Sequence, residues 1–147
     1  MGGNCGILGH VFKVEEIIRF MEEVVVKESN IDECGVFALR NFKKGEIVLR
    51  WDYEKLTKEE VKKLPTREKR YVTCVGGDYI FLQKPERYTN HSCDANTYPE
   101  NFCDIAKRDI MTGEEITTDY GKQAEPDFQM ACKCGSKNCR KIIKSRV

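Results

Sequence analysis

The stretch ALRNFKKGE, residues 38–46, is answered further along the chain by AKRDIMTGE, residues 106–114. In both, an alanine closes an apolar run, and a polar corner with Arg and Asn or Asp follows. A glycine turn then leads into a glutamate that opens the next run. Ala38, Arg40, Asn41, Phe42, Gly45 and Glu46 thus correspond to Ala106, Arg108, Asp109, Ile110, Gly113 and Glu114. Two copies are too few for a solenoid. The echo points instead to similar β corners on two sides of one assembly of sheets.

Outward from these corners the chain reads as short strands between turns. Gly35–Leu39 and Glu46–Trp51 flank the first corner; Phe102–Ala106 and Glu114–Tyr120 flank the second. Val24–Val26 is a β-branched run, and Tyr71–Val75 with Tyr79–Leu82 brackets Gly76-Gly77-Asp78, a hairpin signal. Two helices are expected. Val14, Ile17, Ile18 and Met21 recur at helical spacing. Thr57 opens a second helix through Leu64, with Glu60 as capping-box partner and Pro65 as stop. The fold class is mainly β with short helices.

The chain has 147 residues, 40% hydrophobic and 33% charged, with a formal charge of +1. That suits one compact domain and gives no global electrostatic reason to expect nucleic acid. Nothing approaches the roughly 20 apolar residues of a membrane span. The start, Met1–Phe20, is interrupted by Lys13, Glu15, Glu16 and Arg19, so it does not read as a signal peptide. A reducing, cytoplasmic setting is therefore expected, and it turns the eight cysteines towards metal.

Cys132, Cys134 and Cys139 lie in ACKCGSKNCRK. Thiolates this close, with Gly135 and Asn138 permitting tight turns, suit tetrahedral zinc. A fourth ligand must come from elsewhere: Cys5, Cys34, Cys74, Cys93, Cys103, His10 or His91. Cys93, in the polar segment TNHSCDAN, is favoured; Cys34, Cys74 and Cys103 read as buried thiols.

Three segments resemble the SET-domain family of protein-lysine methyltransferases: GVFALRNFKKGE from Gly35, RYTNHSCDAN from Arg87, and GEEITTDYG from Gly113. The terminal CKCGSKNC is similar to that family's zinc-binding post-SET segment. The resemblance implies a β-clip-like assembly of small sheets with a pseudoknot. It divides the chain into an N-terminal helical segment (1–23), a SET domain (24–122) and a post-SET zinc segment (123–147). It implies S-adenosylmethionine as cofactor, held by Arg87, Asn90, His91, Tyr120 and the backbone around Cys34, Gly35 and Val36. Tyr120 would be catalytic, Cys93 the fourth ligand of a structural zinc, and the partner a protein or peptide bearing a lysine. No general base stands out in the sequence. Ile142 and Ile143 are candidates for an apolar lid.

Two positions depart from the family pattern. Glu33 stands where the first glycine of Gly-x-Gly is usual, and Thr118 where many relatives carry Phe or Tyr. They favour an alternative, a catalytically degenerate module of the same fold. The basic tail, with Lys133, Lys137, Arg140, Lys141, Lys144 and Arg146, suggests a zinc-dependent nucleic-acid binder as a second alternative, read more simply as a solvated surface.

Overall fold

The computed structural model describes residues 23–146, so the helix expected over Val14–Met21 lies outside the described residues. Those residues form four small sheets. In the first, β1 (Val24–Glu28), β2 (Cys34–Ala38), β10 (Glu115–Thr118) and β7 (Asn90–His91) lie side by side in that order. The second places β9 (Cys103–Ala106) between β3 (Ile47–Arg50) and β8 (Thr97–Glu100). The third places β6 (Asp78–Leu82) between β4 (Tyr53–Leu56) and β5 (Val72–Val75), and the fourth pairs β11 (Gln129–Ala131) with β12 (Ile142–Lys144). The expected class, mainly β with short helices, is what forms.

The echoed corners meet each other at the centre. Phe42 and Ile110 exchange both backbone hydrogen bonds, at 2.8 and 2.9 Å, and both side chains are fully buried. Gly45 N–H donates to the Ala106 carbonyl, and Gly113 N–H donates to that of Ala38. Lys44 N–H reaches Asp109 Oδ1, while Thr112 N–H reaches Asn41 Oδ1. Each corner's turn is thus satisfied by the other, in a local two-fold arrangement. Val24, Val36, Val48, Leu49 and Ile116 pack around the pair. Each such side chain contributes about 1.5–3 kcal/mol on burial.

Local chemistry explains where elements begin and end. The first helix, α1 (Lys58–Lys63), has the expected capping box: Glu60 N–H donates to Thr57 Oγ1, and Thr57 N–H donates to Glu60 Oε2. Leu64 is extended before Pro65, where proline crowds out the helical conformation. A further helical turn, α2 (Thr66–Lys69), starts directly after that proline, which had read only as a stop. Gly76 and Gly77 take φ of 58° and 88°, as the hairpin between β5 and β6 requires.

Two readings need correction. The β8–β9 hairpin was missed because its two turn residues, Asn101 and Phe102, take positive φ without a glycine to signal it. The strand expected to run to Tyr120 ends at Thr118; Tyr120 begins a 3-10 turn, Tyr120–Lys122, where Asp119 caps Gly121 N–H.

Candidate functional site

The segment from Thr89 to Thr97 is laced to the segment from Glu115 to Tyr120. β7 runs parallel to β10, with Asn90 opposite Thr117 and His91 opposite Thr118. Asn96 clamps the other strand from both sides: its Nδ2 donates to the Glu115 carbonyl, and its Oδ1 accepts from Thr117 N–H. Tyr120 closes the lacing. Its N–H donates to His91 Nδ1 at 3.1 Å and its hydroxyl donates to the Thr89 carbonyl at 2.8 Å.

Gly35 leaves space at the back of this site. A Cβ there would lie 2.2 Å from Glu115 Oε1 and 3.0 Å from Ser29 Cβ. That space is taken because Glu115 Oε1 and the Cys34 carbonyl both accept from Asn90 Nδ2, at 2.8 Å each. The missing side chain on β2 thus lets a carboxylate pass and fix the Asn90 amide.

A cleft of about 490 Å³ opens beside the lacing. Of the residues expected to hold a cofactor, Cys34, Arg87, Asn90 and Tyr120 line it; Gly35, Val36 and His91 lie behind them. Cys34 is buried and disulfide-bonded, which corrects its reading as a free thiol. Arg87 props the wall, its guanidinium 4.4 Å from the Tyr71 ring centroid and its Nε donating to the Leu82 carbonyl. Glu33 sits at the rim with φ of 24°, on the edge of the left-handed region that glycine enters freely. Its carboxylate turns out towards Arg70, 3.9 Å away, and Arg70 also holds Asp32 at 2.6 Å. Thr118 and Tyr120 both line the cleft, as does Tyr79, while Phe81 and Phe102 do not. Burial holds the Tyr120 phenol well above its usual pKa, so it stays protonated at neutral pH and acts as a donor.

Behind the lacing, Cys93 meets the three tail cysteines. The four Sγ atoms all lie within 4.8 Å of one another, and Cys93 Sγ is 3.7 Å from Cys132 Sγ. Four thiolates about 2.3 Å from one zinc would stand about 3.8 Å apart, so this donor set fits that ion. N–H groups of Cys93, Arg140 and Lys141 point at Sγ atoms of Cys134, Cys93 and Cys139 respectively. Such donors offset thiolate charge and orient ligands. Cys103, buried in β9, and Cys74, half-buried in β5, are not among the clustered thiols. His91 Nε2, 3.4 Å from Cys93 Sγ, joins the cluster to Tyr120, whose N–H occupies Nδ1.

The tail is fastened at two further points. Arg140 and Arg146 both pair with the Asp119 carboxylate, the former at 2.7 Å. Gly121 permits close approach, since a Cβ there would meet the Lys144 carbonyl at 2.6 Å. Of the lid candidates, Ile143 is 1% exposed and belongs to the packing, while Ile142 is 51% exposed. Ala124, Phe128 and Met130 are the apolar tail residues that line the cleft.

Several polar cleft residues escaped the sequence reading, among them Asp32, Arg70, Thr89 and Asp104. Asp104 stands in the apolar run Phe102–Ala106, is 2% exposed, and lines the cleft. Its Oδ2 accepts from Trp51 Nε1 at 3.1 Å. Burial pushes its pKa up to about 7, against the opposing pull of the Trp51 bond. An acid placed at the centre of an apolar strand was the available signal.

A family model described as "SET domain" matches residues 33–121, more than half of the chain. The chain belongs to the SET-domain family. It is 30% identical over 144 residues to histone-lysine N-methyltransferase trr of Drosophila melanogaster, covering 84% of this chain and 6% of that protein. It is 32% identical over 133 residues to the histone-lysine N-methyltransferase, H3 lysine-4 specific, of Schizosaccharomyces pombe, covering 76% of this chain and 14% of that one. The chain therefore matches only a small part of either relative. A crystal structure of a candidate histone methyltransferase from Plasmodium falciparum superposes with a TM-score of 0.58 at 22% identity, covering 69% of this chain and 95% of that one. That likeness bears on the fold.

Proposed function

We propose that this chain is a protein-lysine N-methyltransferase that uses S-adenosylmethionine, with a structural zinc on Cys93, Cys132, Cys134 and Cys139. The carrying observation is the convergence of Asn90 and the Tyr120 hydroxyl on one cleft, locked by hydrogen bonds between segments far apart in sequence. Membership of the SET-domain family supports the same reading.

When bound, the cofactor would supply a methyl group on a cationic sulfur. Asn90, fixed by Glu115 and the Cys34 carbonyl, would meet its polar end beside the Asp32–Cys34 rim. The aromatic wall of Tyr71 and Tyr88 would exclude water. Tyr120, protonated and anchored on Thr89, would hold the incoming amine in line with the methyl group through its hydroxyl oxygen. Such work is positional, and it also requires a neutral amine from a lysine whose ordinary pKa is about 10.4. Burial and a nearby cation both favour the neutral form. The four thiolates would close the zinc shell, leaving no place for an activated water.

Both named relatives are histone-lysine methyltransferases. Core histones are therefore the first substrate to test, and chromatin the corresponding location. The experiment is transfer of labelled methyl from S-adenosylmethionine to core histones and to a total protein lysate. Label on lysine is the expected result. Cofactor binding without label on any protein would favour a binding module of the same fold.

A further inference from the structure

Asp104 has no part in the scheme so far, yet it is a carboxyl enclosed at the wall of the cleft. Its Oδ1 is buried without a hydrogen-bond partner. So are the hydroxyl oxygens of Thr89 and Thr118, and all three residues line the same cleft. A buried polar atom left unpaired is costly to the fold. Three residues on the wall of one cavity each enclose such an atom, one of them on an acid, and this fits a ligand that brings hydrogen-bond donors. The Thr89 carbonyl holds the Tyr120 hydroxyl, so the residue expected to position the amine lines the same cleft as these acceptors.

We infer that Asp104 is the proton acceptor for the substrate amine. The inference rests on the methyltransferase reading. As the lysine side chain enters, an N–H bond of its ammonium breaks, and the proton passes to Asp104, directly or across one water. The electrons of that bond remain on nitrogen as a lone pair. The lone pair then forms the bond to the methyl carbon as the carbon–sulfur bond breaks, its electrons staying on sulfur. The product is a methylated ammonium, a neutral thioether and a protonated Asp104, which returns its proton to solvent before the next turnover.

The surroundings suit this role. Titratable groups on the elements packed about Asp104 are Arg50 on β3, Tyr98 and Glu100 on β8, Cys103 on its own strand, and Glu86 and Arg87 on the 3-10 turn Glu86–Tyr88. Arg50 reaches towards Cys103 Sγ at 3.9 Å and Arg87 is held by Glu68 at 3.4 Å. Burial and the Trp51 indole alone govern the Asp104 carboxyl, leaving it poised near neutrality, where a general base works best.

The test compares wild type with Asp104→Asn on core histones, and with Asp104→Glu should the asparagine variant fail to fold. We expect kcat to fall about 10²-fold in Asp104→Asn at pH 7.5, with cofactor affinity unchanged. The wild-type rise in rate through neutral pH should vanish, and the variant should recover towards wild type above about pH 9, as free amine forms unaided. Asp104→Glu should keep the neutral-pH limb. A structural role would leave the shape of the pH profile unmoved. An Asp104→Asn enzyme within twofold of wild type, with the same profile, overturns the inference and leaves the methyltransferase reading intact. A wild type that binds cofactor but methylates neither core histones nor lysate overturns both.

Discussion

His91 Nε2 lies 3.4 Å from Cys93 Sγ, while its Nδ1 accepts the Tyr120 backbone N–H. Because Nδ1 is an acceptor, the ring proton of the neutral imidazole sits on Nε2 and points at sulfur. One histidine thus ties the cysteine cluster to the residue expected to do the chemistry.

Metal and cleft should accordingly be coupled. Purified protein should contain close to one zinc per chain by elemental analysis. Cys93→Ser should lower zinc content and weaken stabilisation by S-adenosylmethionine in thermal melts, while the far-ultraviolet dichroism of the β core persists. Full zinc content and affinity in Cys93→Ser would remove Cys93 from the ligand set.

Tyr120→Phe isolates one hydroxyl. It loses the bond to the Thr89 carbonyl, worth about 1 kcal/mol, and keeps the ring against His91. Methyl transfer should fall roughly 10²–10³-fold, with cofactor affinity nearly unchanged. Wild-type rates in this variant would make Tyr120 a packing residue.

Gly35→Ala tests the brace behind Asn90. The new Cβ collides with Glu115 Oε1, so the carboxylate must swing away from Asn90 Nδ2. Overpacking of this kind costs about 1–3 kcal/mol. Melting temperature and cofactor affinity should fall together. An intact affinity would show that Asn90 needs no support from Glu115.

Thr118 bears on product state. Thr118 lines the cleft with a side chain smaller than Phe or Tyr, and its buried hydroxyl has no partner. Wild type should proceed beyond monomethyl-lysine, and Thr118→Tyr should shift products towards it by filling the space. Mass spectra of product lysine over a long reaction decide this; a wild type that halts at one methyl group sinks the open-pocket idea.

Asp104 should also mark the pH dependence of stability. Its folded pKa is about 7, above roughly 3.9 in the unfolded chain. Between those values only the unfolded state has released the proton, so folding stability falls as pH rises, by about 1.4 kcal/mol per unit. Above 7 both states are ionised and the loss levels off. Urea denaturation from pH 5 to 8 should show Asp104→Asn gaining on wild type up to about pH 7 and then running parallel. Parallel curves throughout would mean that the carboxyl is already ionised at pH 5.

Local signals in the sequence were sufficient for the parts governed by neighbouring residues. The capping box at Thr57 and Glu60 and the glycine hairpin at Gly76–Gly77 rest on side-chain chemistry within a few positions. Each corner was legible singly, on two sides of the assembly, whereas the pairing of Phe42 with Ile110 at the centre is a tertiary contact. The motif residues Asn90, Cys93 and Tyr120 were legible too, through the order of their segments. What the tertiary structure alone decided is which partners those residues meet. Nothing near Gly35 in sequence announces Glu115, and nothing near Asp119 announces Arg140 and Arg146. Asp104 read as an interruption of an apolar strand until folding enclosed it beside the cleft. A buried acid takes its character from the solvent it loses and the donors it gains, and both are set by segments that only the fold brings near.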